Sequence, residues 1–226
     1  MDSSKEIIWS ENHKNKSINF NIVSYFINSN TVVISTLLIL SIGLYYSSII
    51  PKGDLLIYLN SLNSTFLDFL FKYTTYFGDA ILYFPIVILF WFKNKNAILP
   101  LILLLVLQTA FVWFLKKIVF TNSLRPRAYL EEINLFEFMH KIEGIRINCY
   151  SSFPSGHTLT AFALAFFFIF VYKVDKWLQF IFALCAILAG ISRVYLLQHY
   201  FIDVVIGGFL GIITAFLISL KYKLNN

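Results

Sequence analysis

The amino-acid sequence predicts an all-α, polytopic membrane protein built as a bundle of six transmembrane helices, and three observations lead to this fold class. Apolar residues make up 58% of the 226 residues, against about 45–50% in soluble proteins. Charged residues make up only 13%, about half the usual share. The apolar residues gather into six runs without a charge. One soluble domain of this size cannot bury so much apolar surface, and a disordered chain would not contain it.

The first run, Thr31–Ile50, has the twenty residues that span a hydrocarbon core about 30 Å thick. Ala97–Leu115 is a second clear span, the third in chain order. Residues 1–30 are mostly polar and show no signal peptide, so we expect them to form a cytoplasmic N-terminal segment. Residues 31–226 then form the membrane domain.

The other four runs are shorter and become long enough only if each helix continues past a charged residue or a histidine at one end. For the second run this places the start near Tyr73, with Asp79 inside the helix. The four runs are Ala80–Phe92, Thr158–Tyr172, Trp177–Ser192 and Val204–Leu220.

The segment Leu55–Phe77 repeats apolar residues with a helical period and keeps a polar face. It predicts one or two short helices lying along the outer membrane interface. A helix that caps the bundle explains the pattern at least as well as a substrate gate.

The distribution of lysine and arginine favours cytoplasmic N- and C-termini. Both termini and the short connections after runs two and four carry lysines. Each side of the membrane receives nine basic residues, so the preference rests on assigning some outer cations to a functional site.

Ionisable residues near the ends of the runs gather on one face of the membrane, because the end of an odd span and the start of the next even span share a side. By contrast, a random scatter would divide them between both faces. These residues are Lys116, Lys117, Arg125, Arg127, His157, Arg193, His199 and Asp203.

The sequence Pro154-Ser155-Gly156-His157 leads directly into the fourth run. Proline suits the first turn of a helix and glycine lets a ligand approach the backbone. We therefore expect the free N–H groups of Ser155, Gly156 and His157 to form an anion site at a helix N-terminus. Alone, this motif is equally consistent with an ordinary helix start.

His199 and Asp203 are four residues apart, so their side chains share one helix face. A carboxylate that accepts the Nδ1 proton leaves Nε2 as a free base or nucleophile. Arg193 and Arg125 add guanidinium groups suited to phosphate oxygens. Together these groups predict phosphoryl transfer without a metal ion.

The three motifs resemble the signature of the phosphatidic acid phosphatase type 2 superfamily. The matching residues are Lys117 with Arg125-Pro126, then Pro154-Ser155-Gly156-His157, then Ser192-Arg193 with His199 and Asp203. One departure concerns the lysine. The family has six residues between the lysine and the Arg-Pro pair, whereas here seven residues separate Lys117 from Arg125. The sequence favours Lys117 over Lys116 as the phosphate ligand.

The resemblance implies catalytic roles for three residues and no cofactor or metal. His199 would form a phosphohistidine, Asp203 would orient it, and His157 would act as the general acid and base. The phosphate oxygens would be held by Lys117, Arg125, Ser155, Gly156 and Arg193.

The resulting hypothesis is a lipid phosphate phosphatase of the plasma membrane or bacterial inner membrane with its site at the outer face. The substrates considered are phosphatidic acid, phosphatidylglycerol phosphate, undecaprenyl pyrophosphate and lipid A phosphates, with selectivity expected in the connection 121–153. A lipid-to-lipid phosphotransferase, a transporter and an intramembrane serine protease that uses Ser155 are the alternatives. The scattered basic residues do not predict a nucleic-acid partner, Cys149 and Cys185 are expected to be unpaired, and the sequence does not predict an oligomeric state.

Overall fold

The structure is a computed structural model that describes residues 31–172 and 174–222. The predicted cytoplasmic segment, residues 1–30, lies outside the described residues. Within these ranges the chain forms nine α-helices and one isolated β-bridge, so the all-α prediction is confirmed. The helices are α1 (Thr31–Ile49), α2 (Asp54–Ser61), α3 (Thr65–Thr74), α4 (Tyr83–Lys93), α5 (Ile98–Phe114), α6 (Pro126–Glu132), α7 (Gly156–Tyr172), α8 (Lys176–Tyr195) and α9 (Phe201–Lys221).

The chain divides into two compact units, residues 1–38 and 39–226. The described part of the first unit is the start of α1, residues 31–38. The second unit holds the end of α1 and all the other helices, and the site described below lies entirely within it.

The polytopic character of the chain is confirmed. Four helical stretches of the described chain are long and apolar enough to cross a membrane, namely α1, Lys95–Val119, α8 and α9. The pair Thr65–Gly78 and Ala80–Lys93, bent by 62°, provides a fifth candidate if it forms one broken span. The remaining run corresponds to α7, which has 17 residues. The structure therefore contains four to five candidate spans, and the count of six stays a prediction.

The ends of three helices agree with the sequence analysis. The helices α7, α8 and α9 continue past His157, Arg193 and Asp203, respectively, as the lengths of their apolar runs require. The segment Leu55–Phe77 also contains two helices, α2 and α3. Its position along the membrane interface stays a prediction.

The second predicted span is wrong at its start, because Asp79 is not inside a helix. A 3₁₀ turn ends at Gly78, and Asp79 has extended backbone with φ −86° and ψ 131°. Its Oδ1 atom accepts the N–H of Ile81 at 3.2 Å and so caps the next turn. Aspartate competes well for such caps because its short carboxylate bonds to free backbone N–H groups.

The helix α7 is the central helix of the second unit, with 14 of its 17 residues buried. Its main partner is α9, and α8, α5 and the turn Thr75–Gly78 also contact it. Glycine on α9 permits this close packing. A Cβ atom on Gly207 would lie 2.7 Å from the Ser155 carbonyl oxygen, and one on Gly211 would lie 2.5 Å from that of Leu159.

Large apolar side chains on α4 and α5 point away from the protein. Phe84, Trp91, Phe92 and Trp113 are all exposed. Such a surface is unfavourable in water and suits contact with lipid.

Candidate active site

The residues of the three sequence motifs meet where α5 ends, α7 begins and α8 turns into α9. His199 lies in that last turn and is only 1% exposed. Its Nδ1 atom lies 3.3 Å from Oδ2 of Asp203, which is in the first turn of α9. The predicted pairing of these two side chains is therefore present.

Asp203 is held in place by further donors. Its Oδ2 atom also accepts the Ser152 hydroxyl at 2.5 Å and the backbone N–H of Tyr200 at 3.1 Å. A carboxylate held by three donors has little freedom to rotate. With Asp203 accepting from Nδ1, the Nε2 atom of His199 keeps its lone pair.

The electrostatic surroundings favour neutral His199. Burial lowers the pKa of His199 well below its usual value, and the positive charges of Arg125, Arg193 and Lys116 act in the same direction. The free site therefore holds an uncharged imidazole at neutral pH, which is the form that can act as a nucleophile.

Arg193 is buried beneath the turn between α8 and α9. Its carbonyl oxygen accepts the backbone N–H groups of Gln198 and His199 at 3.0 and 3.1 Å, which fixes the turn. Its Nη1 atom donates to the Thr75 hydroxyl at 2.5 Å. Its Nε atom is buried and has no partner among the described residues, so this guanidinium retains a donor.

Arg125 fastens the outer connection, which is the segment 121–153 that the sequence predicts at the outer face, to the turn that carries His199. Its Nε donates to the carbonyl of Tyr150 at 2.8 Å, its Nη1 to that of Gln198 at 3.1 Å and its Nη2 to that of Ser151 at 3.4 Å. Three of its five N–H donors are therefore used, and two are left for a ligand. Arg127 instead pairs with Glu131 at the surface.

The two lysines lie in a π turn, Leu115–Val119, that extends α5. This turn accommodates an extra residue, because a π turn closes its bond over five residues, here from Phe120 N–H to the Leu115 carbonyl at 2.7 Å. Lys116 is half-buried and its Nζ donates to the Ser151 carbonyl at 2.8 Å, beside Arg125. Lys117 is exposed. The geometry thus favours Lys116, whereas the sequence favoured Lys117.

Ser155 is fully buried at the start of α7. Its backbone N–H donates to the Asp203 carbonyl at 3.0 Å, so the expectation that this N–H is free for an anion is wrong. Gly156 and His157 open the helix, so their N–H groups have no acceptor within it. The Ser155 hydroxyl bonds to that of Thr158 at 2.8 Å rather than to a histidine, which argues against a serine protease.

A cavity of about 400 Å³ opens beside His157. It lies between α5 and α7, and its lining residues include the cations Lys116 and Lys117. Its walls are formed by Gly78, Asp79, Ala80, Gln108, Thr109, Val112, Trp113, Lys116, Lys117, Gly156, His157 and Thr160. A charged headgroup at the mouth of this cavity and an apolar chain between the helices would both find suitable walls.

Sequence reasoning missed the turn Thr75–Gly78 and the adjacent Asp79 as parts of the site. Thr75 contacts Arg193, and Asp79 lines the cavity next to His157. The pair Gly78-Asp79 just before an apolar run is typical of a break between two helices. This pattern would have predicted that one helix ends here and the next begins.

A second polar cluster lies beneath the outer connection. The carboxylate of Asp68 contacts Nε2 of His140 at 2.9 Å and accepts the Tyr195 hydroxyl. The side chain of Asn60 exchanges two hydrogen bonds with the backbone of His140, each at 2.9 Å. This cluster joins α2, α3 and α8 to the outer connection.

Other side chains also hold the outer connection by its main-chain carbonyls. Lys72 donates to the carbonyl of Glu143 at 3.0 Å, and Gln198 donates to that of Arg146 at 3.0 Å. The outer connection is therefore held in place mostly through its backbone.

Comparison with known proteins identifies the family. A sequence model of the PAP2 superfamily matches residues 97–226, more than half of the chain. The chain belongs to this superfamily. The resemblance indicated by the three motifs is thereby confirmed, and the matched PAP2 region contains all of them.

Curated PAP2-like relatives match over shorter regions. Bacitracin transport permease protein BcrC from Bacillus licheniformis is 34% identical over 95 residues, 42% of this chain and 41% of BcrC. Phosphatidylglycerophosphatase B from Bacillus subtilis is 40% identical over 76 residues, 30% of this chain and 37% of that protein. The matches thus span about two fifths of these relatives.

A solved structure extends the PAP2 comparison over most of the chain. The crystal structure of Aquifex aeolicus LpxE has a TM-score of 0.62 and 32% sequence identity, covering 76% of this chain and 95% of that one. Most of the fold therefore has a counterpart in a related protein.

Proposed function

We propose that this PAP2 protein removes a phosphate or pyrophosphate group from a membrane lipid, without a metal ion, through a phosphohistidine. The observation that carries the proposal is the buried, neutral His199, held by Asp203 and surrounded by three cationic side chains. A neutral imidazole attacks phosphorus, and the cations stabilise the charge that grows on the phosphoryl oxygens.

The proposed reaction has two steps. In the first, Nε2 of His199 forms a bond to phosphorus while the bond to the lipid oxygen breaks. The departing oxygen keeps the electron pair and takes a proton from His157. In the second, His157 removes a proton from water, the hydroxyl attacks phosphorus, and the N–P bond breaks to release inorganic phosphate.

The remaining residues hold the phosphate. Arg125 and Arg193 each have donors left after their contacts with the protein. We assign the lysine ligand to Lys116 because it lies beside Arg125. We retain the Ser155 hydroxyl and the Gly156 backbone N–H as phosphate contacts at the helix N-terminus.

A lipid substrate is supported by the cavity, which lies between α5 and α7 and has His157, Lys116 and the apolar Val112 and Trp113 among its lining residues. The similarity to a phosphatidylglycerophosphatase favours a phospholipid headgroup. Phosphatidic acid, phosphatidylglycerol phosphate, undecaprenyl pyrophosphate and lipid A phosphates remain the candidates. We also propose six spans, with α7 as the shortest, cytoplasmic termini and the site at the outer face.

The decisive experiment measures phosphate release by the purified protein from each of these four lipids in excess chelator. We expect turnover with at least one lipid and none with His199→Ala, whose melting temperature serves as the folding control. An absolute requirement for Mg²⁺, or retained turnover in His199→Ala, would contradict the mechanism. The same assay with a labelled lipid and a lipid alcohol as acceptor separates hydrolysis from phosphotransfer.

A further inference from the structure

The break between the helical segments Thr65–Gly78 and Ala80–Lys93 lies directly against the start of α7. A Cβ atom on Gly78 would approach the His157 carbonyl oxygen to 2.4 Å and the His157 Cβ to 2.9 Å. Real Cβ atoms do not come so close to backbone atoms, so only glycine fits here. The backbone of the break is thus packed onto the residue proposed as the general acid.

The next residue along the chain brings a carboxylate to the same place. Asp79 and His157 line the same cavity, together with Lys116 and Lys117. Asp79 contributes the carboxylate among these lining residues. It interacts electrostatically with both His157 and Arg193.

The charges around His157 oppose one another. Burial disfavours a protonated imidazole most, and the positive charges of Arg193 from α8, Arg125 from the outer connection and Lys116 from the π turn act in the same direction. Asp79 from the break is the negative group that acts on His157 from the segments packed around it. A general acid must carry its proton when the lipid oxygen leaves, so three cations beside it would impair catalysis without a nearby anion.

We propose that Asp79 is a positioning residue that partly offsets these effects and helps His157 to hold the proton that it donates in the first step of the reaction. This inference rests on the proposed function, because it assigns Asp79 a role through the general acid. Asp79 does not touch the phosphate in this scheme. Its carboxylate stabilises the imidazolium of His157, and the packing of Gly78 against His157 keeps the two residues at the same cavity.

The variant Asp79→Asn removes the charge and keeps the local fold. The Oδ1 atom of Asp79 caps the N–H of Ile81, and asparagine caps helices about as well as aspartate. The variant Asp79→Glu restores the charge. Asp54 on α2 is an exposed carboxylate on the same outer side, so Asp54→Asn is the matched control.

The test compares two substrates that need a general acid to different extents. An alkyl phosphate, such as phosphatidic acid, has a poor leaving group that must be protonated. In contrast, p-nitrophenyl phosphate has a good leaving group that departs without a proton. We expect Asp79→Asn to lose about 10- to 100-fold in kcat/KM on the lipid, within the range that general acids contribute, and less than about 3-fold on the aryl phosphate.

The pH profile gives an independent measure. The alkaline limb of kcat/KM on the lipid should move about one pH unit lower in Asp79→Asn, since removing one nearby charge destabilises the imidazolium by about that amount. Asp79→Glu should restore most of the profile, and Asp54→Asn should match the wild type. In a His157→Gln background, Asp79→Asn should cause no further loss.

Equal losses on both substrates, an unmoved alkaline limb, or a further loss in the His157→Gln background would each overturn the proposal. In each of these cases the wild-type protein would still release phosphate, so the proposed function would stand. If the wild-type protein releases no phosphate in chelator, the proposed function fails instead, so the two failures are distinguishable.

Discussion

At the residue scale, the pair His199 and Asp203 supports the proposed nucleophile, because burial and hydrogen bonds hold the imidazole in one orientation. Asp203 contacts the imidazole through Nδ1, and burial, together with the surrounding cations, lowers the pKa of His199 and favours its uncharged form. The sequence predicted this pair from its spacing, because residues four apart share a helix face. It did not predict that Ser152 would donate to the same carboxylate, since no local spacing connects Ser152 with Asp203.

We predict that His199 remains neutral at pH 6 in the free protein, because its pKa lies well below the usual value near 6.5. Unfolding restores that usual value, so the unfolded chain binds the extra proton more readily. The free energy of unfolding should therefore decrease as the pH falls below about 6.5, and the stability contribution is complete above it.

The measurement is ¹⁵N NMR of histidine-labelled protein, with the signals of His199 assigned by their loss in His199→Gln. An imidazole half-protonated at pH 6.5 or above would contradict the prediction. Thermal unfolding between pH 5 and pH 8 tests the linkage, and the same steepness in His199→Gln would assign it to another group.

The doubled lysine gives a second prediction at this scale. Lys116→Gln should lower kcat/KM by about 10- to 150-fold, because a hydrogen bond to a charged group contributes about 1.5–3 kcal/mol. Lys117→Gln should lower it by less than about 5-fold, since Lys117 is exposed and lies on the cavity wall. The matched pair is assayed on one lipid substrate, and a reversed order would restore the original preference for Lys117.

At the scale of elements, the apolar runs predicted most helices well and their interruptions poorly. The first span was expected at Thr31–Ile50 and occurs at Thr31–Ile49. The break at Asp79 and the π turn at Leu115–Val119 were not predicted. Both depend on tertiary contacts, because Gly78 packs against His157 and Lys116 bonds to Ser151, whereas hydropathy reports only which residues prefer lipid.

The contact between α7 and α9 leads to a third prediction, based on two adjacent glycines. A Cβ on Gly207 would meet the Ser155 carbonyl oxygen at 2.7 Å, and backbone cannot easily move away. A Cβ on Gly208 would meet the flexible end of Leu40 at 3.0 Å. Gly207→Ala should therefore lower the free energy of unfolding by about 1–3 kcal/mol and push α7 and α9 apart at this contact. Gly208→Ala should lower the free energy of unfolding by less.

Melting temperature and kcat/KM of the two variants check this prediction. Gly207→Ala should lower both, since Ser155 and Asp203 are joined through a backbone hydrogen bond near the contact. If the two alanine variants behave alike, the close approach of the backbones does not determine the geometry of the site.

At the scale of the whole molecule, membrane topology decides which compartment receives the phosphate. The composition predicted a polytopic membrane protein, and the candidate spans of the described residues agree. The number of spans could not be settled from length alone, because α7 is short and the pair Thr65–Gly78 and Ala80–Lys93 is bent. The burial of α7 has to be considered together with its length. This helix is surrounded by other helices and therefore needs little lipid contact of its own.

The fourth prediction places Asn148 outside and Asn96 inside. Both residues are exposed, Asn148 in the outer connection and Asn96 between α4 and α5. In a background with Cys149→Ser and Cys185→Ala, an impermeant maleimide added to intact cells should label Asn148→Cys. It should label Asn96→Cys only after permeabilisation. The opposite pattern would invert the topology, and labelling of both in intact cells would exclude an odd number of spans between them.

The hydrogen bonds that secure the outer connection have a consequence for how this protein can diverge. Asn60, Lys72, Lys116 and Gln198 lie in other parts of the chain and bind carbonyl oxygens, which every amino acid possesses. Side chains at the anchored positions can therefore change without loss of the anchors. New substrate preferences can arise by exchange of residues in this connection, while the residues proposed to hold the phosphate stay the same.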